Sequence, residues 1–105
     1  MSMNTDVTPG IRYAAGQIVR LAQEGARLGQ AEVDAIIQTA SVDVQRIERQ
    51  LDLLLDLAFH PEGLVQFKRL CRYYFDINPA VTGQYIQAYR EMWDTPAEPE
   101  EKNQA

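Results

Sequence analysis

The sequence predicts an all-α fold of four helices, and three observations carry that prediction. Apolar residues recur at spacings of three and four along most of the chain, the signature of helices with one buried face. Prolines at positions 9, 61 and 79 each stand where a helix would begin, where the missing N–H costs nothing. No segment shows the strict alternation of a half-buried strand. At 105 residues, 46% of them apolar, the chain has the size and composition of one globular domain. A chain this short buries a modest core.

Thr8 is an N-cap and Pro9 the first helical residue of helix 1, over about residues 9 to 28. Ile11, Ala14, Ile18, Leu21, Gly25 and Leu28 form its apolar stripe, and Gly29 stands where a C-terminal cap glycine belongs. Helix 2, about 30 to 59, has the strongest pattern. Val33, Ile37, Ala40, Val44, Ile47, Leu51, Leu54 and Ala58 follow one another at 4-3-4-3-4-3-4, a heptad seam. Such a helix is ~45 Å long. Thr39-Ala40-Ser41 could break it, but the heptad phase runs through them and favours continuity. Toward its end Leu53, Leu55 and Leu57 are apolar as well, so several neighbours should bury the last three turns.

Pro61-Glu62-Gly63 opens helix 3, about 62 to 75, with Leu64, Phe67, Leu70, Cys71, Tyr74 and Phe75 on one arc and Tyr73 on the far side. Asn78 caps helix 4, about 79 to 93, again with proline at the first position. The expected arrangement is a long helix 2 forming an antiparallel hairpin with helix 1, and helices 3 and 4 packed around its C-terminal end. Residues 1–93 make a single helical domain. Residues 94–105, with four acids, one lysine and two prolines, read as an acidic disordered tail that the fold does not need.

Net charge is −5, of which the tail supplies −3, which discourages non-specific nucleic-acid binding. The start of the chain lacks a signal peptide's basic and apolar regions, no apolar run approaches a membrane span, and the lone Cys71 fits a reducing compartment. The expected location is cytoplasmic.

Catalytic chemistry is not expected. The single His60 and single Cys71 have no partners for nucleophilic work, and no phosphate loop or paired catalytic carboxylate occurs. Glu48, Asp52, Asp56 and His60, four apart, resemble a metal stripe, but no second histidine supports one. No cofactor or metal is expected. Like charges at this spacing repel, and a helix 3 folded back antiparallel would bring Lys68, Arg69 and Arg72 level with Asp56 and Asp52.

Two binding readings remain. Helix 3, the turn and helix 4 resemble a bacterial helix-turn-helix in outline, with "INPAVTGQYIQAY" as the recognition helix. That resemblance implies a dimeric DNA-binding regulator using residues 62–93, with Thr82, Gln84 and Gln87 toward base edges and Lys68, Arg69, Arg72 and Arg90 toward phosphates. It departs from the motif at the turn, where Phe75-Asp76 stand without a glycine. Residues 60 to 93 carry four cations against three acids. The other reading starts from the aromatics, eight of whose nine members lie between Phe59 and Trp93. Tyr73, Tyr85, Tyr89 and Trp93 make a broader face than one neighbour needs, and Tyr and Trp recur at protein interfaces. This favours a non-catalytic protein–protein interaction module: a small adaptor, regulator or inhibitor. The excess length of seam favours a homodimer through helix 2 or the aromatic face.

Overall fold

A computed structural model describes the backbone of residues 3–94, with side chains from Gly16 onward. The chain is all-α, with four helices: α1 (Met3–Gln38), α2 (Val44–Asp56), α3 (Pro61–Phe75) and α4 (Pro79–Met92). No described helix is long and apolar enough to cross a membrane. The tail from residue 95 onward lies outside the described residues.

The two N-terminal helices divide differently from the expectation. α1 neither starts at Thr8 nor stops at Gly29. It begins at Met3, runs through Pro9 with the loss of one intrahelical hydrogen bond, and continues to Gln38. The long element is therefore α1, and the chain breaks at 39–43, where a continuous helix 2 was expected. The local bonding explains the break. Ala40 sits at φ 51°; its N–H donates to the Ile37 carbonyl at 3.1 Å, and the Ser41 N–H donates to the Ile36 carbonyl at 3.0 Å. Those paired bonds make a Schellman motif, whose left-handed residue is usually glycine. Asp43 then caps α2, its carboxylate accepting from the Arg46 N–H at 3.1 Å. Ala40 and Val44, both on the expected seam, lie exposed beside this turn. Gly29 answers to packing instead: a Cβ there would stand 2.9 Å from Leu54 Cδ2.

The other two starts are as the sequence predicts. His60 precedes Pro61 and caps α3, its Nδ1 accepting from the Glu62 N–H at 3.3 Å. Asn78 caps α4 by accepting from the Val81 N–H at 3.1 Å. Gly63 is required by α3's entry, because a Cβ would overlap the Leu57 carbonyl.

Successive helices run antiparallel. Gly25 faces Leu57 while Gly29 faces Leu54, and Glu32 pairs with Arg46 at 2.6 Å, so α2 descends as α1 rises. The expected hairpin exists, but it turns at 39–43. α3 is the central helix, lying against α1, α2 and α4, while α1 and α4 do not touch among the described residues. Both α3 and α4 pack against α2, the C-terminal half of the expected helix 2, and α3 lies along α1 as well. α3 runs along the C-terminal half of α1 and along α2, and α4 lies against both α3 and α2.

The core is Val33 and Ile36 of α1, Ile47, Leu51 and Leu54 of α2, and Phe67, Leu70, Cys71 and Tyr74 of α3. Burial of each large side chain is worth about 1.5–3 kcal/mol, and these residues fix the three-helix centre. On α1 the packed face is Ala22, Ala26, Gly29 and Val33, small residues that let α2 and α3 come close. The expected stripe residues Ile18, Leu21 and Leu28 stand exposed. Leu53 is exposed as well, so the end of α2 is not buried on every side.

Candidate interaction groove

α3 and α4, joined by the turn at 76–78, line a groove of about 670 Å³. Its α3 wall is a single face, Leu64, Phe67, Lys68, Cys71, Arg72 and Phe75, recurring at spacings of three, one, three, one and three. Its α4 wall is Thr82, Ile86, Tyr89 and Arg90. The floor is apolar: Phe67 and Tyr89 rings lie 5.9 Å apart, with Cys71 and Thr82 buried beside them. Phe75 and Ile86 remain exposed at the lip, 54% and 37% accessible. Lys68 and Arg72, one turn apart and exposed, edge the α3 side, and Asp76 and Asp94 also line the groove. A volume of this size suits a small ligand or a few anchoring side chains of a partner.

The expected pairing of the α2 acids with the α3 cations does not form. The acidic stripe is met by tyrosines: the Tyr74 hydroxyl donates to Glu48 at 2.6 Å, and the Tyr85 hydroxyl donates to Asp52 at 2.8 Å. Burial, together with the Glu48 carboxylate, pushes the Tyr74 phenol up to about 12. Burial and Asp52 push Tyr85 upward too. Both phenols are therefore protonated donors near neutrality. Arg69 turns the other way and pairs with Asp34 of α1 at 2.9 Å. The physical reason lies in the helix order: α3 runs beside α1, so its cation on that side meets an α1 carboxylate. Lys68 and Arg72 project into the groove instead.

The four nominated partner-binding aromatics are all engaged within the chain. Tyr73 does not project to the far side; it is half-buried, and its hydroxyl donates to the Ser41 carbonyl at 2.7 Å, bracing the α1–α2 turn. Tyr85 reaches Asp52, Tyr89 lies against Phe67, and the Trp93 indole N–H donates to the Leu55 carbonyl at 2.8 Å. Trp93 also meets Phe59, ring centroids 5.6 Å apart, and keeps an accessible face. Only Tyr89 lines the groove. The groove's exposed apolar groups, Phe75 and Ile86, were not nominated, because a residue at the end of an apolar arc reads as core when its neighbour's direction is unknown.

The nominated nucleic-acid residues are dispersed. Arg69 is tied to Asp34, Gln87 donates to Glu91 at 3.1 Å, and Gln84 lies beside Glu48 and Asp52. Thr82 is 1% accessible and its hydroxyl donates to the Asn78 carbonyl, which removes it from any base edge. Lys68, Arg72 and Arg90 alone share one surface, the groove.

The lone cysteine and the lone histidine are both engaged by the fold. Burial raises the Cys71 thiol to about 11, which favours the protonated form near neutrality, and His60 Nδ1 serves the α3 cap. Among the described residues, no buried side-chain nitrogen or oxygen lacks a partner. None of these residues forms a group of three or more His, Cys, Asp or Glu placed to hold a metal ion. No family model, curated protein or solved structure matches the chain.

Proposed function

We propose that the protein is a non-catalytic interaction module whose α3–α4 groove receives an acidic, amphipathic helical segment of another protein. The observation that carries this reading is the pairing, in one groove, of exposed Phe75 and Ile86 with the cationic edge of Lys68 and Arg72. An amphipathic helix offers apolar anchors on one face and charges beside them. Apolar anchors would fill the floor, and carboxylates would meet the edge. Electrostatic contacts of this kind set orientation and association rate more than affinity. The module works as a homodimer, with the groove as a separate surface.

The test is a binding titration with a labelled helical peptide bearing leucines at i, i+4 and i+7 and glutamates alongside. Wild type should bind saturably. Phe75→Ser should abolish binding, and Lys68→Gln with Arg72→Gln should slow association and reduce its salt dependence. Absence of saturable binding, or equal binding by Phe75→Ser, would sink the reading. So would salt-sensitive binding of random duplex DNA, which would favour a nucleic-acid regulator.

A further inference from the structure

α1 is longer than the body it belongs to. Its 36 residues span about 54 Å, whereas α2 and α3 have 13 and 15 residues. Gly25 lies against Leu57, just past the end of α2, and Ala22 is the last fully buried side chain toward the N-terminus among those described. The helix continues toward the N-terminus over residues 3–21, about 28 Å, and Ile18, Val19 and Leu21 on it stand exposed. A helix in water draws most of its stability from packing of an apolar face and is marginal without it.

That continuation carries a seam. Ile11, Ala14, Ile18, Leu21, Gly25 and Leu28 recur at 3-4-3-4-3, a heptad repeat with Ile11, Ile18 and Gly25 at a and Ala14, Leu21 and Leu28 at d. Three of these side chains are among the most exposed apolar groups of the molecule: Ile18 at 57%, Leu21 at 70% and Leu28 at 64%. The body uses the neighbouring face, Ala22, Ala26 and Gly29, and reaches Gly25 through Leu57, but leaves Ile18, Leu21 and Leu28 uncovered. The flanking positions Gln17, Ala22 and Glu24 bring a single charge, and Glu24 is paired with Arg27 on its own helix. Nothing beside the seam repels an identical helix.

We infer that α1 pairs with α1 of a second copy along residues 11–28 as a parallel, two-stranded coiled coil. Isoleucine at a with leucine at d, the combination that Ile18 and Leu21 present, favours two parallel strands. In a parallel pair each copy's extension covers the other's, the same residues meet across a two-fold axis, and both grooves stay open. The inference rests on the dimeric part of the proposed function and places it on α1, away from helix 2 and the aromatic face. It does not depend on what the groove binds.

Sedimentation of the full chain should give twice 11.9 kDa at micromolar concentration, and Leu21→Asp should give 11.9 kDa with partial loss of helicity. Leu21→Asp should still bind the acidic peptide, since the groove is remote. Ala14→Cys and Leu21→Cys, made separately, should each form a disulfide-linked dimer under mild oxidation, with Cys71 buried and silent. A monomeric wild type overturns both the inference and the dimeric reading. A wild-type dimer that survives Leu21→Asp overturns the inference alone. Cross-linking at only one of the two positions, or at neither, overturns the parallel register.

Discussion

Ala40 shows how much one residue decides. An L-residue with a Cβ pays roughly 1–2 kcal/mol in the left-handed region, and Ala40 occupies it at φ 51° because the Schellman bonds to Ile36 and Ile37 require that geometry. Ala40→Gly should therefore stabilise the protein by about 1 kcal/mol, less the extra freedom glycine gives the unfolded chain. Thermal melting would show it; a lower midpoint would mean that the turn is not held as described. Gly63 is the converse case. A methyl group there would meet a backbone carbonyl, that of Leu57, which cannot rotate aside as a side chain can. Gly63→Ala should cost about 1–3 kcal/mol despite its better helix propensity. Gly25→Ala meets only the flexible end of Leu57 and should be close to neutral. Near-equal effects at the two glycines would contradict the proposed α2–α3 contact.

At the scale of elements, the hairpin of α1 and α2 is closed by Glu32 and Arg46. Their hydrogen bond, at 2.6 Å, is the main cause that holds the Glu32 carboxyl below its ordinary value. A carboxyl depressed in the folded state contributes stability above its unfolded value, and that contribution is lost as pH falls through the folded value. Unfolding followed from pH 7 down to pH 3 should thus lose less stability in Glu32→Gln than in wild type; identical acid limbs would show that the pair adds nothing. The elements also show what the sequence could and could not reveal. The starts of α3 and α4 were legible because His60-Pro61 and Asn78-Pro79 act within one turn. The α1–α2 boundary was not, because Ala40 occupies a glycine's position and the heptad phase crosses the turn unbroken, with Ile37 and Ile47 both on the inner side. The groove was half legible. Lys68, Arg69 and Arg72 stand out in the sequence as cations of α3, but that Arg69 meets Asp34 while Lys68 and Arg72 edge the groove depends on α3 lying beside α1, and only tertiary contact sets that.

For the whole molecule, Phe67 and Cys71 serve both the core and the groove floor, whereas Phe75, Ile86, Lys68 and Arg72 at the lip and edge lie outside the core, and substitutions should divide accordingly. Ile47 is completely buried at the meeting of α1, α2 and α3. Ile47→Asp would place a carboxylate there without a partner, a cost large enough to take up most of a small domain's stability. It should abolish cooperative melting, and binding with it. Trp93 stands between the two sets. Its indole N–H bonds the Leu55 carbonyl and its ring meets Phe59, so Trp93→Ala should cost about 1–3 kcal/mol, chiefly by loosening the end of α4. Because α4 forms one wall of the groove, that loosening should weaken peptide binding indirectly, and lower temperature should restore part of it. Phe75→Ser acts differently. Phe75 is more than half exposed at the groove's lip, so the melt should move little while binding disappears at every temperature. Measuring both variants across temperature separates the roles: a Trp93→Ala defect that cooling does not relieve would make Trp93 a direct contact, and a large melting loss in Phe75→Ser would make Phe75 part of the core.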